Sequence, residues 1–117
     1  MFSNALDANR LTNLTSISFG NFNTSNVTDM SCMFSNCRVL TSLNLSSFDM
    51  SRVTNTDSML GGCSALTEIK TPKAIGSTAV DLPTKTGYLW VDKNNTSTKY
   101  TKINSTNVGK TLILKAN

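Results

Sequence analysis

The sequence predicts an α/β repeat fold: a solenoid of short parallel strands and short helices over residues 1–72, closed by a small β-rich cap over residues 73–117. Three observations carry this expectation. The chain matches itself at one fixed offset, the apolar spacing changes character within each period, and both features stop after Pro72.

The repeat runs without a gap. Leu14-Thr15-Ser16-Ile17 falls on Leu40-Thr41-Ser42-Leu43 and then on Leu66-Thr67-Glu68-Ile69, and 11 of 30 positions are identical between residues 14–43 and 40–69. Phe22 aligns with Phe48, Ser25 with Ser51, Val27-Thr28 with Val53-Thr54, Met33 with Met59, and Cys37 with Cys63. The start also fits, since Met1-Phe2-Ser3-Asn4-Ala5 reads like a displaced copy of Met33-Phe34-Ser35-Asn36-Cys37. A repeat already under way at Met1 makes the chain read as a fragment of a longer one.

Within one unit the first element is a strand. Leu43 and Leu45 alternate with the polar Ser42, Asn44 and Ser46, as a strand with one buried face requires. The second element reads as a helix. From Val27 the apolar positions fall at Met30, Met33, Phe34 and Cys37, three and four apart, with Thr28 or Ser31 available as an N-cap. One such unit cannot bury its apolar residues alone, so equivalent positions are expected to stack from unit to unit. Pro72 cannot donate to a sheet ladder, and regular coiling is expected to stop there.

The tail alternates without repeating. Tyr88 to Asp92, a turn at Lys93 to Thr96, Tyr100 to Ile103, and Thr111 to Lys115 read as strand, turn, strand and a further strand. Trp90, the single tryptophan, reads either as the anchor of this cap or as a stacking platform for a sugar or base.

The runs LTSLNLSSFDMSRVTNTDSML (40–60) and MFSNCRVLTSLNLSSF (33–48) resemble the repeats of the BspA-like leucine-rich repeat family of bacterial surface proteins. The resemblance covers roughly residues 1–72. It implies a leucine-rich-repeat-like solenoid, an extracellular or cell-surface location, and a role in adhesion to host or matrix proteins or glycans. Lys70-Thr71-Pro72 departs from the repeat in the third copy.

Composition removes much enzyme chemistry. Ser, Thr and Asn make up 46 of 117 residues, histidine and glutamine are absent, and Glu68 is the one glutamate. Without histidine there is no Ser-His-Asp or Cys-His pair and no imidazole ligand. No apolar run approaches the roughly 20 residues that span a bilayer, so membrane insertion is not expected. Residues 1–72 hold four Lys/Arg against five Asp/Glu, whereas residues 73–117 hold seven lysines against two aspartates. Those lysines are scattered and unaccompanied by arginine, which reads as solvated strand faces rather than a nucleic-acid footprint.

The cysteines and loops suggest no cofactor. Cys37 and Cys63 occupy one repeat position and read as buried small hydrophobes, with a disulfide between them geometrically permissible. Cys32 and Cys37, at C-x4-C with no histidine, do not make a zinc set. Asp92-x-Asn94-x-Thr96 begins like a calcium loop but has Ser97 where the turn glycine belongs, so a hairpin turn explains it better. Gly61-Gly62 lies in no phosphate-loop motif.

The expected function is therefore a non-enzymatic binding module, monomeric as a fragment. Its ligand would meet the outward strand residues Ser16, Ser18, Ser42, Asn44, Glu68 and Lys70, by analogy at the level of fold. The alternative is a passive stalk or capping segment, because these positions lack the Tyr, Trp and Arg common at binding hot spots.

Overall fold

The alternating segments become strands. The computed structural model describes residues 16–19 and 23–117, so the matching start at Met1 to Ala5 lies outside the described residues. In chain order the strands are β1 (Ser16–Ser18), β2 (Ser42–Asn44), β3 (Asp49–Met50), β4 (Glu68–Lys70), β5 (Ala74–Ile75), β6 (Val80–Asp81), β7 (Tyr88–Asp92), β8 (Asn95–Tyr100), β9 (Lys102–Ile103) and β10 (Thr111–Ala116). The main sheet has the order β1-β2-β4-β10-β7-β8. Two small pairs accompany it, β3 with β5 in parallel and β6 with β9 antiparallel.

The period of the sequence survives as register. Ile17 pairs with Leu43 and Leu43 with Ile69, all parallel. Leu43 and Ile69 point into the core, while Ser42, Asn44 and Glu68 are half-buried and Lys70 is exposed. Hydrogen bonds join positions one period apart elsewhere too, as where Thr54 N donates to Thr28 O at 2.7 Å.

The expected α/β leucine-rich-repeat-like solenoid is nevertheless wrong, because the described residues contain no helix and the fold is all-β. Half of the main sheet is antiparallel and comes from the non-repeating tail. The physical reason lies in residues 30–37. A helix there would bond each N–H to the carbonyl four residues back. Instead Met33, Ser35 and Cys37 donate three residues back, to Met30, Cys32 and Phe34, and the N–H groups in between leave the segment. Cys32 donates to Asp57 O, Phe34 to Met59 O and Asn36 to Gly61 O, at 2.9, 2.9 and 2.7 Å. Cys32 and Asn36 adopt φ of 58° and 64°, in the left-handed region that no right-handed helix admits. Ser58 and Gly62, their equivalents in the next unit, do the same at 56° and 79°. Successive tight turns thus set Met30, Met33, Phe34 and Cys37 three and four apart and bury all four, imitating helical spacing.

Between this ladder of turns and the sheet lies one core. Phe34, Phe48, Met30, Met33, Leu40, Leu43 and Ile69 are fully buried in it, and Val80, Trp90, Ile103 and Leu112 of the tail belong to the same cluster. Phe19 packs on Phe34 and Phe48 with ring centroids 5.8 and 5.1 Å apart. Trp90 is an anchor rather than a stacking platform, since it is 3% exposed and its indole N–H donates to Pro83 O at 2.8 Å. Parallel pairing also runs past Pro72: Lys73 N donates to Phe48 O, β5 pairs with β3, and Gly76 N reaches Met50 O at 3.4 Å before the path departs.

Two buried hydroxyls clasp neighbouring segments. Thr24 Oγ1 donates to Asp49 O and accepts from Asp49 N, at 2.9 and 2.8 Å. Thr71 Oγ1 donates to Asn107 O and accepts from Lys110 N, at 2.7 and 2.8 Å, and buried Asn107 donates through its amide to Lys102 O. The loop before β10 is thereby tied to the end of β4.

Candidate functional site

Residues directly opposite in a sheet register project to one side. By that rule Ser16, Ser42 and Glu68 form one row on the face away from the core, and Asn44 and Lys70 belong to an adjacent one; Ser18 pairs with Asn44 in backbone register. Of Ser18 only the backbone pairing is described. The tail extends both rows, because Ile113 stands opposite Glu68 and Thr111 opposite Lys70, and Val91 and Lys99 follow Ile113. Sequence reasoning missed these additions. The strand at Thr111 was legible, but β5 to β9 all intervene before its partner β4, and so distant a pairing leaves no local mark.

The rows are not a bare polar surface. Asn44 Oδ1 accepts from Ser46 N at 2.9 Å, fixing the side chain in a turn. Glu68 lies 3.7 Å from the Lys93 ammonium, a partly solvated pair worth at most about 1 kcal/mol. Much of the Asn and Asp content has a similar use. Asn23, Asp29, Asp49, Asn55 and Asn104 each accept the N–H two residues on. The same turn explains Asp92-x-Asn94: Asp92 Oδ1 accepts from Asn94 N at 2.9 Å, and Lys93-Asn94 closes the β7–β8 hairpin.

Two carboxyls feel these turns. The Ser31 hydroxyl, and after it the Ser31 N–H, hold Asp29 below its ordinary value of 3.8; the Ser51 hydroxyl and N–H do the same for Asp49. The thiols move the other way. Burial, and then the neighbouring Cys37, push Cys63 up to about 12, and burial raises Cys37 as well. Cys63 Sγ donates to Phe34 O at 3.1 Å, so it is a protonated thiol at neutral pH and not a thiolate nucleophile. All three cysteines are free. Among the described residues no three His, Cys, Asp or Glu side chains gather as a metal site.

A cleft of about 420 Å³ opens elsewhere, between the second set of turns at Ser58–Cys63 and the tail segment Asp81–Thr84. The break in the repeat at Lys70-Thr71-Pro72 was the one sequence signal of it.

A family model described as "Mycoplasma protein of unknown function, DUF285" matches residues 1–75. This replaces the BspA-like leucine-rich repeat resemblance. No curated protein and no solved structure compared with the chain matches it.

Proposed function

Because the chain belongs to the DUF285 family, whose function its description leaves open, we propose from surface chemistry that it is a non-enzymatic binding module for a protein or glycan. The two cross-strand rows are the observation that supports this reading: they bring Ser16, Ser42, Asn44, Glu68 and Lys70 together on one sheet face, Ser18 sharing the register. Their side chains offer hydroxyl, amide, carboxylate and ammonium groups, suited to hydrogen bonding at short range. Ile113 and Thr111 lend the face a partly apolar continuation. The proposal includes an extracellular setting and no cofactor. Cys63 supports the non-enzymatic part, as a nucleophile would need a lower thiol pKa.

The passive structural reading has its own support. Asn44 and Glu68 are half-buried and already engaged, with Ser46 and Lys93, and the rows carry no aromatic side chain.

A panel of immobilised matrix proteins and glycans separates the two. Ser16 and Lys70 are exposed, so Ser16→Arg and Lys70→Glu change the face without disturbing the core. Binding that persists from about 150 mM to about 500 mM salt, where screening shortens by half or so, and that either variant abolishes, supports recognition by this face. Binding indifferent to both variants, or absent across the panel, would leave the structural reading.

A further inference from the structure

The ladder of turns ends on an open edge. In the first unit the N–H groups of Cys32, Phe34 and Asn36 donate to the carbonyls of Asp57, Met59 and Gly61. Their equivalents in the second unit are Ser58, Leu60 and Gly62. Among the described residues none of these three N–H groups has an acceptor. Leu60 is only 2% exposed as a residue, Ser58 and Gly62 are exposed, and all three line the cleft described above.

The chain itself stops supplying acceptors at this point. Thr56 stands where Met30 does one unit earlier, and its hydroxyl still meets Ala79 O at 2.6 Å. Beyond Ala79 the path swings away. Val80 and Asp81 pair with β9, Leu82 N donates to Thr101 O, and Pro83 O accepts from Trp90. The segment therefore forms the far wall of the 420 Å³ cleft with its backbone turned elsewhere. The cleft occupies the place where another run of carbonyls would complete the ladder.

Its chemistry selects an occupant. Three N–H donors on alternate residues call for the carbonyls of alternate residues, and in the first unit those carbonyls come from a second run of tight turns, Asp57 to Gly61. No Lys or Arg lines the cleft, and its one charged residue is Asp81, paired with Lys102 at 3.5 Å; an anion has little to favour it there. The volume suits small side chains. We propose that this cleft binds an uncharged, turn-forming segment of a partner protein, which adds its backbone to the open edge by accepting the hydrogen bonds of Ser58, Leu60 and Gly62. Recognition is thus mainly of main chain, with side-chain size as the filter, as in strand addition to a sheet edge. It does not involve the sheet face discussed above.

The probe is an acetylated and amidated peptide with the sequence of residues 54–64, carrying Asp57→Asn and Cys63→Ser, added to the full chain. Amide exchange by nuclear magnetic resonance is the readout. Saturating peptide should slow exchange at Ser58, Leu60 and Gly62 by at least about tenfold, leaving Phe34 and Asn36, already bonded, unchanged. Thr84→Trp, at an exposed position on the far wall, should weaken the peptide by about tenfold or more while Phe34 and Asn36 stay protected, which shows that the variant folds. Unaltered exchange at the three amides, or undiminished affinity in Thr84→Trp, overturns the proposal. Equal protection by acetate or inorganic phosphate alone would overturn it too, making the cleft an anion site. Protection that appears without peptide as protein concentration rises would replace the partner with a second copy of this chain.

Discussion

At the scale of single residues, backbone conformation decides more than side-chain chemistry. Gly62 has φ +79°, and a Cβ there would meet Asn36 Oδ1 at 2.5 Å and Asn36 Cα at 3.1 Å. Gly87 has φ +84° with open space around it. Gly87→Ala should thus lose about 1–2 kcal/mol for the left-handed backbone alone, and Gly62→Ala distinctly more; urea melts of the pair would check the order. The two turn carboxylates make a second prediction. Their folded-state values lie below their unfolded ones, so the stability they contribute is present above about pH 4 and is lost as pH falls through the depressed values. Asn occupies the equivalent turn positions at Asn23 and Asn55, where it accepts the same bond. The double variant Asp29→Asn with Asp49→Asn should therefore fold normally at neutral pH and show a flatter acid limb when stability is measured between about pH 5 and pH 2.

At the scale of elements, legibility in the sequence followed the range of the interaction. Strand register was legible because Ile17, Leu43 and Ile69 recur at one period and each alternates with polar neighbours. The turns were not, since an apolar spacing of three and four serves a helix and a run of tight turns equally well. A sign was present even so: Asn36 and Gly62, two residues that tolerate left-handed backbone, share a repeat position, and few strong helix formers surround them. The pairing of β10 with β4 was invisible for a different reason, being fixed by long-range packing and by the Thr71 clasp rather than by any local preference. Of the candidate face, the six residues were legible through alternation, but the demand of turns on Asn44 and of Lys93 on Glu68 was not. The clasp gives the third prediction. Thr71→Val strips a hydroxyl that serves Asn107 O and Lys110 N in a buried setting, and should destabilise by about 1–3 kcal/mol. Thermal melts would show it, and faster exchange at the Lys110 amide would locate it.

At the scale of the whole molecule, repeat and tail make one sheet and one core. β10 lies between β4 and β7, and Leu112 packs with Ile69 and Trp90 in the same cluster. Deleting residues 111–117 should expose the edges of β4 and β7 and empty part of the core, giving a chain that aggregates and loses cooperative melting; light scattering and circular dichroism would report both. A 1–110 fragment that melts as sharply as the full chain would contradict it. The position of β10 also bears on how the protein comes into being. The strand that reaches the sheet's centre is the last of the described strands in order of synthesis, so β4 and β7 have no neighbour between them until Ala116 has been made. Residues of the repeats emerge before β10, so β4 and β7 complete their pairing only after translation has passed that strand. Assembly then depends on distant partners meeting at once, which places refolding in the slow regime of milliseconds to seconds, not microseconds.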